Sequence, residues 1–158
     1  MGPIQRRLAA MSSAVVLASA LAASASASPP PVSVTITGAH LTAKIQVTLT
    51  FDVVCQPLIS AIDGSPVIAA AFGTRATVDQ AAGRTIAHAE GGQPEPDRTN
   101  LVTCDGTTVN HESVTMISSN VPFHGGTAIA GVLVNLDDPA CIFCGSEQSA
   151  QVSGTVKL

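Results

Sequence analysis

Ile45-Gln46-Val47-Thr48-Leu49-Thr50-Phe51-Asp52-Val53, running on to Cys55, is the stretch that decides the fold class. Large apolar residues stand at every second position, with Gln, Thr and Asp between them. A period of two puts all the apolar side chains on one face of an extended chain and the polar ones on the other. A helix would scatter the same residues around its circumference. The segment is therefore a strand with one buried and one wet face.

The same pattern spreads outward in both directions. Val32, Val34 and Ile36 alternate with Ser and Thr. Val67 to Val78 reads as a strand around Phe72, with Gly73 as the point where it could break. Arg84 to Glu90 follows a turn at Ala82-Gly83. Leu101, Val102 and Cys104 precede an Asp105-Gly106 turn, and Val109 to Ser118 follows it. Ala128, Ala130, Val132, Val134 and Leu136 make another alternating face, and Val152 to Leu158 closes the chain. No segment after the N-terminal leader carries sustained apolar spacing at three, four and seven. Seven to nine strands punctuated by Gly and Pro predict a single all-β, antiparallel sandwich over residues 32–158.

The N-terminus reads differently. Arg6-Arg7 opens an uncharged Ala/Val/Leu/Ser run that ends at Ala25-Ser26-Ala27, a small-x-small cleavage pattern. Residues 1–27 are read as a secretory signal peptide. The run is too short and weak for a membrane anchor. Ser28-Pro29-Pro30-Pro31 is then a stiff, Pro-rich leader, residues 28–31. No later segment is apolar enough to span a bilayer as a helix.

Charge narrows the partners. The net charge is −4, and removal of Arg6 and Arg7 makes the remaining chain more acidic. Nucleic acids and anionic membranes are bound through clustered Lys and Arg, which this chain lacks. At 46% hydrophobic and 11% charged residues the chain is not disordered.

Four cysteines remain in an exported chain, Cys55, Cys104, Cys141 and Cys144, and an even number reads as two disulfides with three possible connectivities. Cys55–Cys104 with Cys141–Cys144 is the favoured pairing. The first closes a loop of about 50 residues, worth roughly 4 kcal/mol in the chain-entropy model, and the second is worth roughly 2. Cys141-Ile142-Phe143-Cys144 also has the form of a redox motif. That chemistry needs the first thiol at a helix N-terminus, whereas Asp137-Asp138-Pro139 precedes the pair and Gly145 follows it. A disulfide that pins a loop fits better. Zinc sites of this kind usually pair two close Cys doublets, and there is one here.

Cys104-Asp105-Gly106-Thr107 with His111, Phe123-His124-Gly125-Gly126-Thr127-Ala128, and Cys55-Gln56-Pro57 together resemble patterns in small, uncharacterised secreted proteins of actinobacteria. The resemblance covers about residues 32–158 and rests on short motifs. It implies an immunoglobulin-like sandwich with two disulfides and no particular reaction. Chromoprotein apoproteins of the neocarzinostatin type share the size, export, acidity and disulfide number. No residue run matches them, so they serve only as a topological analogy.

Motifs for chemistry are missing. There is no G-x-S-x-G, H-E-x-x-H, P-loop or G-x-G-x-x-G. His40, His88, His111 and His124 stand singly, and Asp137-Asp138 reads as a turn before Pro139 rather than a calcium loop. With no Trp or Tyr, the aromatic platforms that stack on sugars are absent, and the four Phe are wanted for the core. No catalytic, cofactor-binding or metal residue is assigned.

Two segments remain as a possible contact surface. Gly91 to Arg98, with Gln93, Glu95 and Asp97, reads as an exposed Pro-rich loop, and Phe143 as an apolar tip inside the C-x-x-C loop. The expectation is a non-enzymatic extracellular binding or structural module whose partner is an unidentified protein or small molecule. A small-ligand carrier using a cleft between strand-end loops is the alternative. A metal-dependent enzyme comes third.

Overall fold

The computed structural model describes residues 30–142 and 147–158. The expected signal peptide (residues 1–27), Ser28 and Pro29 of the leader, and Phe143 and Cys144 lie outside the described residues. Ten strands and no helix are present among the described residues: β1 (Val32–Ala43), β2 (Gln46–Cys55), β3 (Leu58–Ile59), β4 (Pro66–Val67), β5 (Ala69–Ala82), β6 (Thr85–Gly91), β7 (Asp97–Thr103), β8 (Asn110–Ser118), β9 (Thr127–Asp137) and β10 (Gln148–Lys157). Every paired neighbour is antiparallel.

The main sheet runs β1-β2-β8-β6-β5-β9-β10, with β7 added on β5, and its two end strands, β1 and β10, pack beside each other. The result is a sandwich that approaches a closed barrel. The alternation seen in the sequence builds its interior. Val47, Leu49, Phe51 and Val53 of β2 are buried, as are Phe72, Ala76 and Val78 of β5 and Ala130, Val132, Val134 and Leu136 of β9. Each of the larger side chains stabilises the fold by about 1.5–3 kcal/mol through burial. The intervening Thr48, Thr50 and Asp52 face outward, and Thr48 shares a 2.9 Å hydrogen bond with Thr115 across the ladder.

β5 does not break at Gly73; it changes partner there. Its first part, Ala69–Phe72, pairs with β7, and Ala76–Ala82 pairs with β6 along the same edge. Its other edge runs unbroken against β9 from Ala71 to Asp79. The chain between β6 and β7 fills the interval. Thr74 donates its backbone N–H to Gln93 O at 2.6 Å, and Asn135 Nδ2 donates to Pro94 O at 2.7 Å. The segment expected to be a loop from Gly91 to Arg98 is thus shorter. Gly91 ends β6, Asp97 and Arg98 begin β7, and Pro96 is buried. A β3–β4 hairpin, too short to show a period in sequence, closes the 58–67 stretch.

The two halves of the sandwich are tied at two corners. At one, β6 meets β8 through Ala89↔Ser118 and Glu90↔Ile117. At the other, the Cys55–Cys104 disulfide joins the end of β2 to the residue after β7. Asn110 reinforces that second corner: its Nδ2 donates to both Thr103 O and Val53 O, and its Oδ1 accepts from Thr103 N. One side chain thereby replaces ladder bonds that the splayed backbones of β7 and β8 do not make. Pro31 of the leader is also fixed, because its carbonyl accepts the N–H of Gln56 at 2.8 Å.

Candidate binding surface

The segment after β6 is held down by what lies beneath it. Gly73 sits at an outward position of β5, where a Cβ would stand 2.6 Å from Pro94 O and 2.7 Å from Glu95 C. Only a glycine lets that backbone lie so close. Gly92 starts the descent at φ 96°, in the left-handed region that side chains disfavour. The loop is therefore preformed rather than a free linker.

A second segment arrives beside it. Asp138 organises the turn that follows β9: its Oδ1 accepts Ala140 N at 2.8 Å, and its carbonyl accepts Cys141 N at 3.0 Å. Its Oδ2 accepts the Ser60 hydroxyl at 2.6 Å, tying this turn to the β3–β4 hairpin. Asp137 and Asp138 are both buried; the turn expected for the pair begins only after Asp137, which is the last residue of β9. Cys141 is disulfide-bonded.

Together these segments form a shallow, open depression of about 440 Å³ lined by Gln93, Glu95, Pro96, Asp97, Arg98 and Ile142. Gln93, Glu95 and Asp97 were expected as contact residues, and Ile142 is the neighbour of Phe143 within the C-x-x-C motif. Two sequence segments suspected separately thus share one surface. Asp97 is held below the usual carboxylate range because its Oδ1 accepts the backbone N–H of Thr99 at 2.9 Å. It stays ionised and shapes the start of β7. Asp105 is lowered further, first by the Thr108 hydroxyl and then by the N–H groups of Thr108 and Thr107. It is the pivot of the turn that carries Cys104 back to β8.

The histidines do not meet. His88 Nδ1 lies 2.7 Å from Asp79 Oδ1, and His111 Nδ1 lies 2.7 Å from Asp52 Oδ1, two cross-strand pairs on different parts of the surface. Among the described residues no three His, Cys, Asp or Glu side chains are placed to hold a metal.

Glu112 breaks the β8 pattern in an informative way. It stands opposite Phe51, at an inward position, and burial raises its pKa. An acid whose folded pKa exceeds its unfolded one costs stability as pH rises through the folded value. Glu112→Gln is expected to match the parent at pH 4 and to be modestly more stable at pH 7, as a shift of urea midpoint. A loss of stability at pH 7 would show that the ionised carboxylate has a partner.

A further concavity, not anticipated from sequence, crosses the outer face of β5, β9 and β10. It measures about 320 Å³ and is lined by Arg75, Thr77, Gly131, Val132, Leu133 and Gln151. Gly131, at an outward position in the otherwise regular Ala128–Leu136 run, was the available signal. No family model, curated protein or solved structure matches the chain.

Proposed function

We propose that the protein is a secreted, disulfide-stabilised, non-enzymatic binding module whose contact surface is the depression between Gln93–Arg98 and Ile142. One observation carries this reading: the two segments that line the depression are each fixed to the sheet scaffold before any partner arrives, residues 93–94 by Thr74 and Asn135 and the turn after β9 by Ser60 on Asp138. Preorganisation lowers the ordering cost of association. The depression is open, which suits a protruding side chain of another macromolecule better than an enclosed small molecule. The buried Cys55–Cys104 bond fits an oxidising compartment. Export to the cell exterior, and kinship with the small secreted actinobacterial proteins and their immunoglobulin-like sandwich, belong to this proposal.

The test is capture from the secreted and cell-surface fraction of the cells that make the protein. Immobilised parent and a Thr48→Lys control on the far face should retain the same protein. Glu95→Lys combined with Ile142→Lys should lose it. Identical capture by all three, or no specific capture by the parent, would overturn the assignment of the surface.

A further inference from the structure

We propose that the concavity across β5, β9 and β10 binds a small amphipathic carboxylate, with its acid group on Arg75 and its apolar chain along Leu133. This site is separate from the depression and stands or falls by itself. The strand register sets its shape. Ser153, Gly131 and Thr77 lie in one row across three strands, flanked by the row Gln151, Leu133, Arg75 and by the row Thr155, Ile129, Asp79. The middle row is low and the outer two are tall, so the sheet face carries a transverse groove.

Gly131 keeps that groove open. A Cβ there would stand 2.9 Å from Thr77 Oγ1 and would cover the hydroxyl. Leu133 is half-buried on one wall, and Ile129, 59% exposed, stands in the row on the other side. The walls therefore offer apolar contact while the floor offers a hydroxyl.

Arg75 supplies the charge. It bonds Glu90 Oε1 through Nε at 2.6 Å, which orients the guanidinium beside the groove. Its two terminal amino groups make no hydrogen bond among the described residues, nor do the Gln151 amide and the Thr77 hydroxyl. Glu90 and the Asp79–His88 pair border the site on the β6 side. Their negative charge repels an anion on that side, so a carboxylate would sit away from β6, on the unengaged Nη groups of Arg75. A guanidinium offers a carboxylate two parallel donors, which an alcohol cannot accept in the same way.

Hexanoate and hexanol are the probes, followed by amide shifts of the isotopically labelled protein in nuclear magnetic resonance titrations. Hexanoate is expected to saturate and to move the amides of Thr77, Gly131, Leu133 and Gln151. Hexanol should bind about tenfold more weakly, since a charge-assisted bond contributes about one decade of affinity. Arg75→Gln should weaken hexanoate about tenfold and leave hexanol unchanged, whereas Gly131→Val should abolish both. Shifts scattered over the surface, equal affinities for acid and alcohol, or an Arg75→Gln variant indistinguishable from the parent would overturn the proposal.

Discussion

Replacing Cys55 and Cys104 together by serine is expected to lower the unfolding free energy by about 4 kcal/mol, the value for a loop of this length. The two cysteines are 49 positions apart and both are buried in the core. The loss has two sources. The unfolded chain regains the entropy of a long loop, and the corner between β2 and β7 is left, among the described residues, to hydrogen bonds such as those of Asn110 and of the Gly106 N–H on Cys55 O. Urea unfolding followed by far-ultraviolet circular dichroism measures it. A change below about 1 kcal/mol would mean that those hydrogen bonds alone secure the corner.

Replacing Gly92 by alanine is the second large effect, at about 3 kcal/mol. At φ 96° a side chain is strained, and the new Cβ would run into Thr74 O, a backbone atom that cannot turn away. Relief requires lifting the loop, which breaks the Thr74–Gln93 bond and takes Pro94 from Asn135. Gly64 is the internal control. Its φ is 74° but nothing lies within 4 Å of its added Cβ, so Gly64→Ala should cost only the intrinsic strain, about 1 kcal/mol. Equal losses at the two positions would show that the loop does not rest on β5. Faster amide exchange at Thr74 in the Gly92 variant is the local signature.

These effects mark the border of what could be read from sequence. β2 was legible because one face of it is wholly core and the other wholly solvent, so every position obeys the period. β9 was legible for the same reason. The Cys55–Cys104 pairing was the favoured one of three connectivities in a chain read as exported, and the bond is present. Alternation says which way a side chain points but not which strand lies alongside. The change of partners along β5 was therefore invisible, although Gly73 marked the place. The descent of residues 92–96 onto β5 left the outward Ala71 and Gly73 buried, which makes β5 look like a strand covered on both sides there. Glu112 shares the inward face with Val114 and Met116, but β8 is paired with β6 only at Ile117 and Ser118, so its other edge is open at Glu112 and the carboxyl is only half-buried. The depression itself depends on two loops meeting in space. Each loop was singled out by composition, but their placement on the scaffold involves the Ser60–Asp138 and Asn135–Pro94 bonds, which no local signal encodes.

The position of the disulfide also sets how the chain can assemble. Hairpins β1–β2, β5–β6 and β9–β10 join neighbours and form without long loops. The β2–β8 ladder, which starts with Val53 opposite Asn110, must instead close a loop that contains β3 to β7. Closure of this kind makes β-sandwiches slow folders, on the scale of milliseconds to seconds. Cys55 lies just past Val53 and Cys104 shortly before Asn110. Once the bond has formed, β2 and β8 are connected through sulfur by a handful of residues, and their pairing becomes that of a local hairpin. The crosslink is then a topological shortcut. An oxidised chain zips β2 and β8 together from Val53 and Asn110 as two neighbouring strands would, while a reduced chain must first find the same register across more than a third of its length.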